Sequence, residues 1–170
     1  MLAAGLVDGS GEVVAFEADP SNVRFIQEHF RRNSIAHARV VPMAVWSKAG
    51  KVSFARGSVL SSLNAGGVLN SSLWGFNTNV IEVEAITLDD YVQGHRPPSL
   101  VKIDVEGAEL HVLNGAKELL SYYKPLVLCE VHSPELDSQV QHWLTTNSYT
   151  VEWLADQTAL TRYLIARPNR

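Results

Sequence analysis

The sequence predicts an α/β fold built on a mainly parallel sheet. Short apolar runs alternate with helix-period segments along most of the chain. The longest aliphatic runs, such as Leu126-Val127-Leu128-Cys129, are strand-length. The total of 170 residues suits one domain, read as residues 1–170. Apolar residues make up 46% and charged residues 19%, a composition that builds a core rather than a disordered chain.

Val13-Val14-Ala15-Phe16-Glu17 reads as a buried strand. Asp19-Pro20 then supplies an N-cap and a first-turn proline. Val23, Ile26 and Phe30 recur at helical spacing, which predicts about three turns of helix. The helix should end near Asn33, a residue that tolerates left-handed geometry. Ala38 to Val45 is a second strand, and Lys51 to Phe54 a short extra one after the Ala49-Gly50 turn. Residues 57–79 are rich in Ser, Gly and Asn and carry no charge. A loop of that length is either functional, as a lid or acceptor loop, or an insertion without a role.

Val80 to Ile86 alternates like a half-exposed strand, and Thr87 can cap a short helix through Asp90 and Tyr91 that Pro97-Pro98 stop. Leu100 to Val105 is a strand leading into one helix with Leu110, Leu113, Ala116 and Leu120 on a stripe. Leu126 to His132 is the next strand, followed by a helix marked by Leu136, Val140, Trp143 and Leu144. Thr150 to Leu154 and Thr161 to Ala166 close the chain as an antiparallel hairpin.

Composition excludes several classes. The net charge of −4, without a Lys/Arg cluster, argues against nucleic-acid binding. One cysteine cannot make an internal disulfide. No run approaches the roughly 20 apolar residues of a membrane span. The N-terminus lacks the basic flank of a signal peptide, so a cytoplasmic protein is expected. Oligomeric state is not legible.

Open α/β sheets bind ligands beyond the carboxyl ends of their parallel strands. Three predicted strands turn polar there. Glu17 could accept hydrogen bonds from ribose hydroxyls, or could simply end its strand or support a helix cap. Lys102, Asp104 and Glu106 alternate along one strand face, either as a rim salt-bridge network or as a site. Glu109 falls in the first turn of the next helix, where the dipole favours an anion. Glu130 and His132 share a face at the end of the following strand, with helix capping or simple solvation as the alternatives for His132. If the last two strands are neighbours, Asp104, Glu130 and His132 converge.

Phe16-Glu17-Ala18-Asp19-Pro20, Thr87-Leu88-Asp89-Asp90, Lys102-Ile103-Asp104-Val105-Glu106-Gly107-Ala108-Glu109 and Glu130-Val131-His132 together resemble the FkbM family of S-adenosylmethionine-dependent methyltransferases. The block from Lys102 to Glu109 is the most specific element. The resemblance implies a seven-stranded Rossmann-like sheet and methyl transfer to a hydroxyl of a small molecule or glycan. It implies that Glu17 holds the cofactor ribose and that Met43 and Ala44 lie beside the adenine. Asp104 would face the methionine end and the acceptor. Glu106, Glu130 and His132 would line the acceptor side, with Ser61 and Ser62 of the variable 57–79 loop.

Methyl transfer needs in-line positioning and removal of the hydroxyl proton. His132 is the first candidate base and Asp104 the second. A divalent cation on Asp104, Glu130 and His132 is a third arrangement, but the spacing is not diagnostic and no metal ligand is assigned.

The resemblance departs at the N-terminus. Family members begin with a strand and a Gly-x-Gly turn, whereas Met1 to Asp8 resemble the tail of the helix that follows it. Gly9-Ser10-Gly11 leads into a strand and does not replace that turn. An N-terminally incomplete domain with impaired cofactor binding is therefore expected. The strands of Glu17 and Asp104 should then stand apart or be forced together. The rival expectations are a degenerate, non-catalytic binding domain and a different nucleotide-using enzyme, the latter unsupported by any phosphate-binding loop.

Overall fold

The computed structural model describes residues 2–7, 10–56, 62–63, 79–154 and 162–169. The first elements are α1 (Leu2–Leu6), β1 (Val13–Phe16), α2 (Pro20–Arg32), β2 (Ala38–Val41), β3 (Ala44–Val45), β4 (Gly50–Arg56), β5 (Ser62–Leu63) and β6 (Asn79–Ile86). The second half holds α3 (Leu88–Val92), β7 (Leu100–Ile103), α4 (Glu109–Asn114), α5 (Lys117–Tyr122), β8 (Leu126–Val131), α6 (Pro134–Thr146), β9 (Tyr149–Trp153) and β10 (Arg162–Pro168).

The strands form three hydrogen-bonded groups, each containing or extending a parallel pair. β1 pairs parallel with β2. β7 pairs parallel with β8, and the antiparallel hairpin of β9 and β10 continues that sheet in the order β7-β8-β10-β9. β3 pairs parallel with β6, which pairs antiparallel with β4 in the order β3-β6-β4-β5. Among the described residues no ladder joins β1 to β7, so the two strands expected to stand apart or be forced together stand apart. Side chains link the two parts instead: Phe16 of β1 meets Tyr91 of α3 edge-on at 4.9 Å and packs against the main core.

Local signals explain most element boundaries. Asp19 caps α2 by accepting from the Ser21 amide at 2.7 Å, with Pro20 filling the first turn. Thr87 caps α3 through the Asp90 amide, and Ser133 caps α6 through the Leu136 amide. Ser133, not His132, therefore starts α6. β8 alternates cleanly: Val127, Cys129 and Val131 are buried, while Leu126, Leu128 and Glu130 on the other face are partly exposed. The main core gathers these with Ile103, Leu113, Leu119, Leu120, Val140, Leu144, Tyr149 and Leu164. The buried Tyr149 hydroxyl donates to the backbone oxygens of Leu120 and Pro125, and burial pushes its pKa up to about 12.

Four details correct the sequence reading. Ala38 to Val45 is not one strand: it breaks at Pro42, which has no amide to donate, and its halves join different sheets. The helix expected after Gly107 is two helices, α4 and α5, interrupted at Gly115. A Cβ on Gly115 would lie 2.1 Å from the Trp46 carbonyl oxygen, so the backbones meet too closely for a side chain. Asp89 then caps α5 from another element, accepting from the Leu119 amide at 2.8 Å and the Glu118 amide at 3.2 Å. β7 stops at Ile103, which leaves Asp104 and Val105 in the turn that follows. After α2 it is Ser34, at φ 52°, and not Asn33, at φ −100°, that adopts the left-handed conformation.

Candidate functional site

β7 and β8 are parallel neighbours, with Ile103 opposite Cys129. What leaves their carboxyl ends must therefore meet. After β7 the chain turns through Glu106, at φ 49°, and Gly107, at φ 97°. This left-handed pair brings Asp104 and Glu106 back over the sheet end before α4 begins. On β8, alternation places Glu130 on the partly exposed face, and His132 follows on the same side.

The result is one imidazole within a ring of carboxylates. His132 Nε2 lies 3.8 Å from Asp104 Oδ1, 3.5 Å from Glu106 Oε1 and 3.5 Å from Glu130 Oε1. Its Nδ1 is 2.7 Å from Glu109 Oε1. Glu109 is 0% exposed and also accepts from the Gly107 amide at 3.1 Å. A buried carboxylate acts as an acceptor, so Nδ1 carries the donated proton and Nε2 is the nitrogen presented to the ring. Nε2 itself is buried and has no hydrogen-bond partner.

Positive charge is scarce here. Lys102 Nζ pairs with Asp104 Oδ2 at 2.5 Å, and the Tyr163 hydroxyl donates to Glu130 Oε1 at 3.1 Å. With four carboxylates against one lysine and one imidazole, the cluster stays net negative even when His132 is protonated. The Glu109 hydrogen bond raises the His132 pKa above 6.5 against the opposing effect of burial. Burial pushes the Glu106 carboxyl above its usual range; His132 draws it down, and Asp104, Glu130 and Glu109 push it up again. Asp104, Glu130 and His132 each offer one ligand atom, and these atoms lie within 4.8 Å of one another.

The sequence reading placed Glu109 at a helix dipole and missed it as part of this site. Its signal is spacing: Glu109, Val112 and Leu113 share the stripe of α4 that faces the core, where an unpaired carboxylate is costly. The rim network expected around Lys102 is also present, as the Lys102–Asp104 pair.

A family model described as the methyltransferase FkbM domain matches residues 1–155. The chain belongs to the FkbM methyltransferase family. No curated protein was found as a sequence relative. Among solved structures, this FkbM-family chain is similar to the methyltransferase FkbM of Methylobacillus flagellatus KT, with a TM-score of 0.63 at 17% identity. That match covers 91% of this chain and 36% of the other, so the chain spans about a third of that protein's length. It is also similar to a precorrin-6y C5,15-methyltransferase of Geobacter metallireducens GS-15, with a TM-score of 0.56 at 13% identity, over 95% of this chain and 68% of that one. Both likenesses are likenesses of fold.

Of the residues that the FkbM resemblance assigns to the cofactor, Asp104 lies in the carboxylate ring, whereas Glu17, Met43 and Ala44 do not. Glu17 follows β1, and both its oxygens serve local donors: Oε1 accepts from the Asp19 amide at 2.7 Å and Oε2 from Asn22 at 3.3 Å. The helix-supporting alternative read from the sequence is thus realised, and each oxygen keeps a further lone pair. Met43 is half-buried in the bend between β2 and β3. The Ala44 methyl is buried in a small core with Phe54, Val83 and Ala85, so only its backbone could meet a ligand. Ser61 lies outside the described residues. Ser62 starts β5 opposite Ala55, and its side chain is likewise not described. A cavity of about 200 Å³ lined by Leu120, Ser121, Lys124, Asn147, Ser148 and Tyr149 sits at the amino end of β8, away from the ring. Among the described residues no helix is long and apolar enough to cross a membrane.

Proposed function

We propose that this FkbM-family chain is an S-adenosylmethionine-dependent O-methyltransferase domain that acts on a hydroxyl of a small molecule or glycan. One observation carries the reading: Asp104, Glu106, Glu130 and His132 converge at the carboxyl ends of adjacent parallel strands. Ligands of open α/β sheets bind at such ends. An alcohol is a poor nucleophile until its proton leaves, and this ring is rich in groups that accept one.

The residues divide the work. Glu17, with a lone pair free on each oxygen, accepts from the ribose diol. The backbone around Met43 and Ala44 borders the adenine. When bound, S-adenosylmethionine supplies an electrophilic methyl on a sulfonium. Asp104, Glu130 and His132 bind and orient the acceptor hydroxyl and draw its proton away, while Glu106, Ser61 and Ser62 contact the rest of the acceptor. Glu109 holds the His132 ring so that Nε2 points inward. Fixed donors and acceptors of this kind contribute chiefly by positioning.

Isothermal titration of the chain with S-adenosylmethionine tests the reading. Weak but saturable binding that falls at least about tenfold further in Glu17→Ala, one ribose-type contact of about 1.4 kcal/mol, is the expected result. Heat no greater than that of dilution, or equal binding by the variant, would overturn the assignment of cofactor and ribose contact.

A further inference from the structure

The carboxylate ring has a property that acceptor binding alone does not explain. His132 is only 11% exposed in its side chain, and Nε2 is fully buried without a hydrogen-bond partner. Nε2 faces three carboxylates because Glu109 holds Nδ1 on the other side. A buried nitrogen facing anions calls for a positive charge between them, either a proton on the ring or a bound cation.

We propose that Asp104 Oδ1, Glu130 Oε1 and His132 Nε2 form a binding site for one small divalent cation. Metal–oxygen and metal–nitrogen bonds of about 2.1 Å place ligand atoms about 3–4 Å apart. Here Nε2 stands 3.8 Å from Asp104 Oδ1 and 3.5 Å from Glu130 Oε1, so the triad is near ligation spacing. The support behind it matches the chemistry. Metal-binding imidazoles almost always donate their other N–H to a carboxylate, and Glu109 accepts that bond from a fully buried position. Lys102 on Asp104 Oδ2 and Tyr163 on Glu130 orient the two carboxylate ligands in the same way. Two carboxylates and one imidazole suit a cation of the Mn²⁺ type, between the hard all-oxygen ions and the nitrogen-seeking ones.

This deepens the methyltransferase reading and rests on it for its purpose. A cation with three protein ligands keeps positions open, and the Asp104 side chain is 42% exposed. A hydroxyl oxygen on the cation has a lowered pKa. Its O–H bond would break with the electron pair left on oxygen, and Glu106, whose Oε1 lies 3.5 Å from His132 Nε2, would take the proton.

The test needs no acceptor. The chelator-treated chain is titrated with Mn²⁺, and free Mn²⁺ is followed by electron paramagnetic resonance. One Mn²⁺ per chain is expected, with affinity falling at least about tenfold in Asp104→Asn, Glu130→Gln and Glu109→Gln. Glu28→Gln, on the exposed face of α2, should bind as the wild type does. Because a variant can misfold, the unaltered chain gives a second measurement. Substoichiometric Mn²⁺ should broaden the ring resonances of His132 before those of His29, His37, His95, His111 and His142. Absence of binding, equal binding by the ligand variants, or uniform broadening would each overturn the site; a proton on Nε2 would then balance the ring. Mn²⁺ binding without S-adenosylmethionine binding would sustain the cation site and sink the methyltransferase reading; the reverse result would do the opposite.

Discussion

Two histidines placed by neighbouring secondary structure have opposite surroundings. His111, on α4, lies flat against Trp46, with ring centroids 3.8 Å apart and planes within 6°, and its Nδ1 is 3.3 Å from the Ser47 hydroxyl. Burial alone lowers its pKa. His132, just beyond β8, sits against Glu109 of the same α4 and among three further carboxylates, and its pKa is raised. One region is a packing junction in which an imidazole meets an indole face and a hydroxyl. The other concentrates charge and leaves a buried nitrogen unanswered. The contrast teaches that burial by itself does not mark a functional histidine; burial combined with uncompensated charge does.

The largest expected effect breaks the charged region. Glu109→Ala removes one partner of a buried pair and leaves the His132 N–H without an acceptor. Such losses cost about 3–5 kcal/mol, and urea unfolding should show it as a much lower midpoint with an unchanged slope. A loss below about 1 kcal/mol would mean that water replaces the carboxylate and that the pair does not organise the site.

The packing junction gives the next effect. Gly115→Ala drives a methyl against the Trp46 backbone, and the α4–α5 break must shift to admit it. Overpacking of this kind costs about 1–3 kcal/mol, read as a lowered thermal midpoint. Substitution without loss would show that the close approach is not what interrupts the helix.

The smallest effect separates the two histidines by pH. His111 has a folded pKa below its ordinary 6.5, so the unfolded chain takes up the proton more readily. Its contribution is therefore fully present above pH 6.5 and is lost as pH falls through the lowered folded value. His111→Phe keeps an aromatic ring against Trp46 but does not titrate. The stability of the wild type relative to this variant should fall on going from pH 7.5 to pH 5.5. A pH-independent difference would place the His111 ring in solvent rather than on the indole.

Much of the fold was legible because its signals are local. Asp19-Pro20, Thr87 and Ser133 start their helices as their side chains dictate, and the closing hairpin follows from alternation on both sides of a turn. The failures were equally physical. A helical stripe does not reveal that Gly115 is pressed against Trp46, because that contact spans distant parts of the chain. The continuous apolar run from Ala38 to Val45 hides a change of sheet at Pro42. Glu109 reads as a first-turn anion favoured by a helix dipole, although its place on the stripe of Val112 and Leu113 points inward.

The sequence by itself determined the α/β class, the order of most elements, the polar strand ends and the family that the chain resembles. Those depend on residue spacing and on side chains acting on their own backbone. Tertiary structure alone decided that β7 and β8 are parallel neighbours, that Glu17 is already engaged locally, and that Ala44 turns into the core. It also decided that Glu109 stands behind His132 and so chooses which nitrogen faces the carboxylates. Charges separated by 20 or more residues acquire their chemistry only when packing sets the distances between them, since Coulomb and hydrogen-bond energies depend on those distances and on burial.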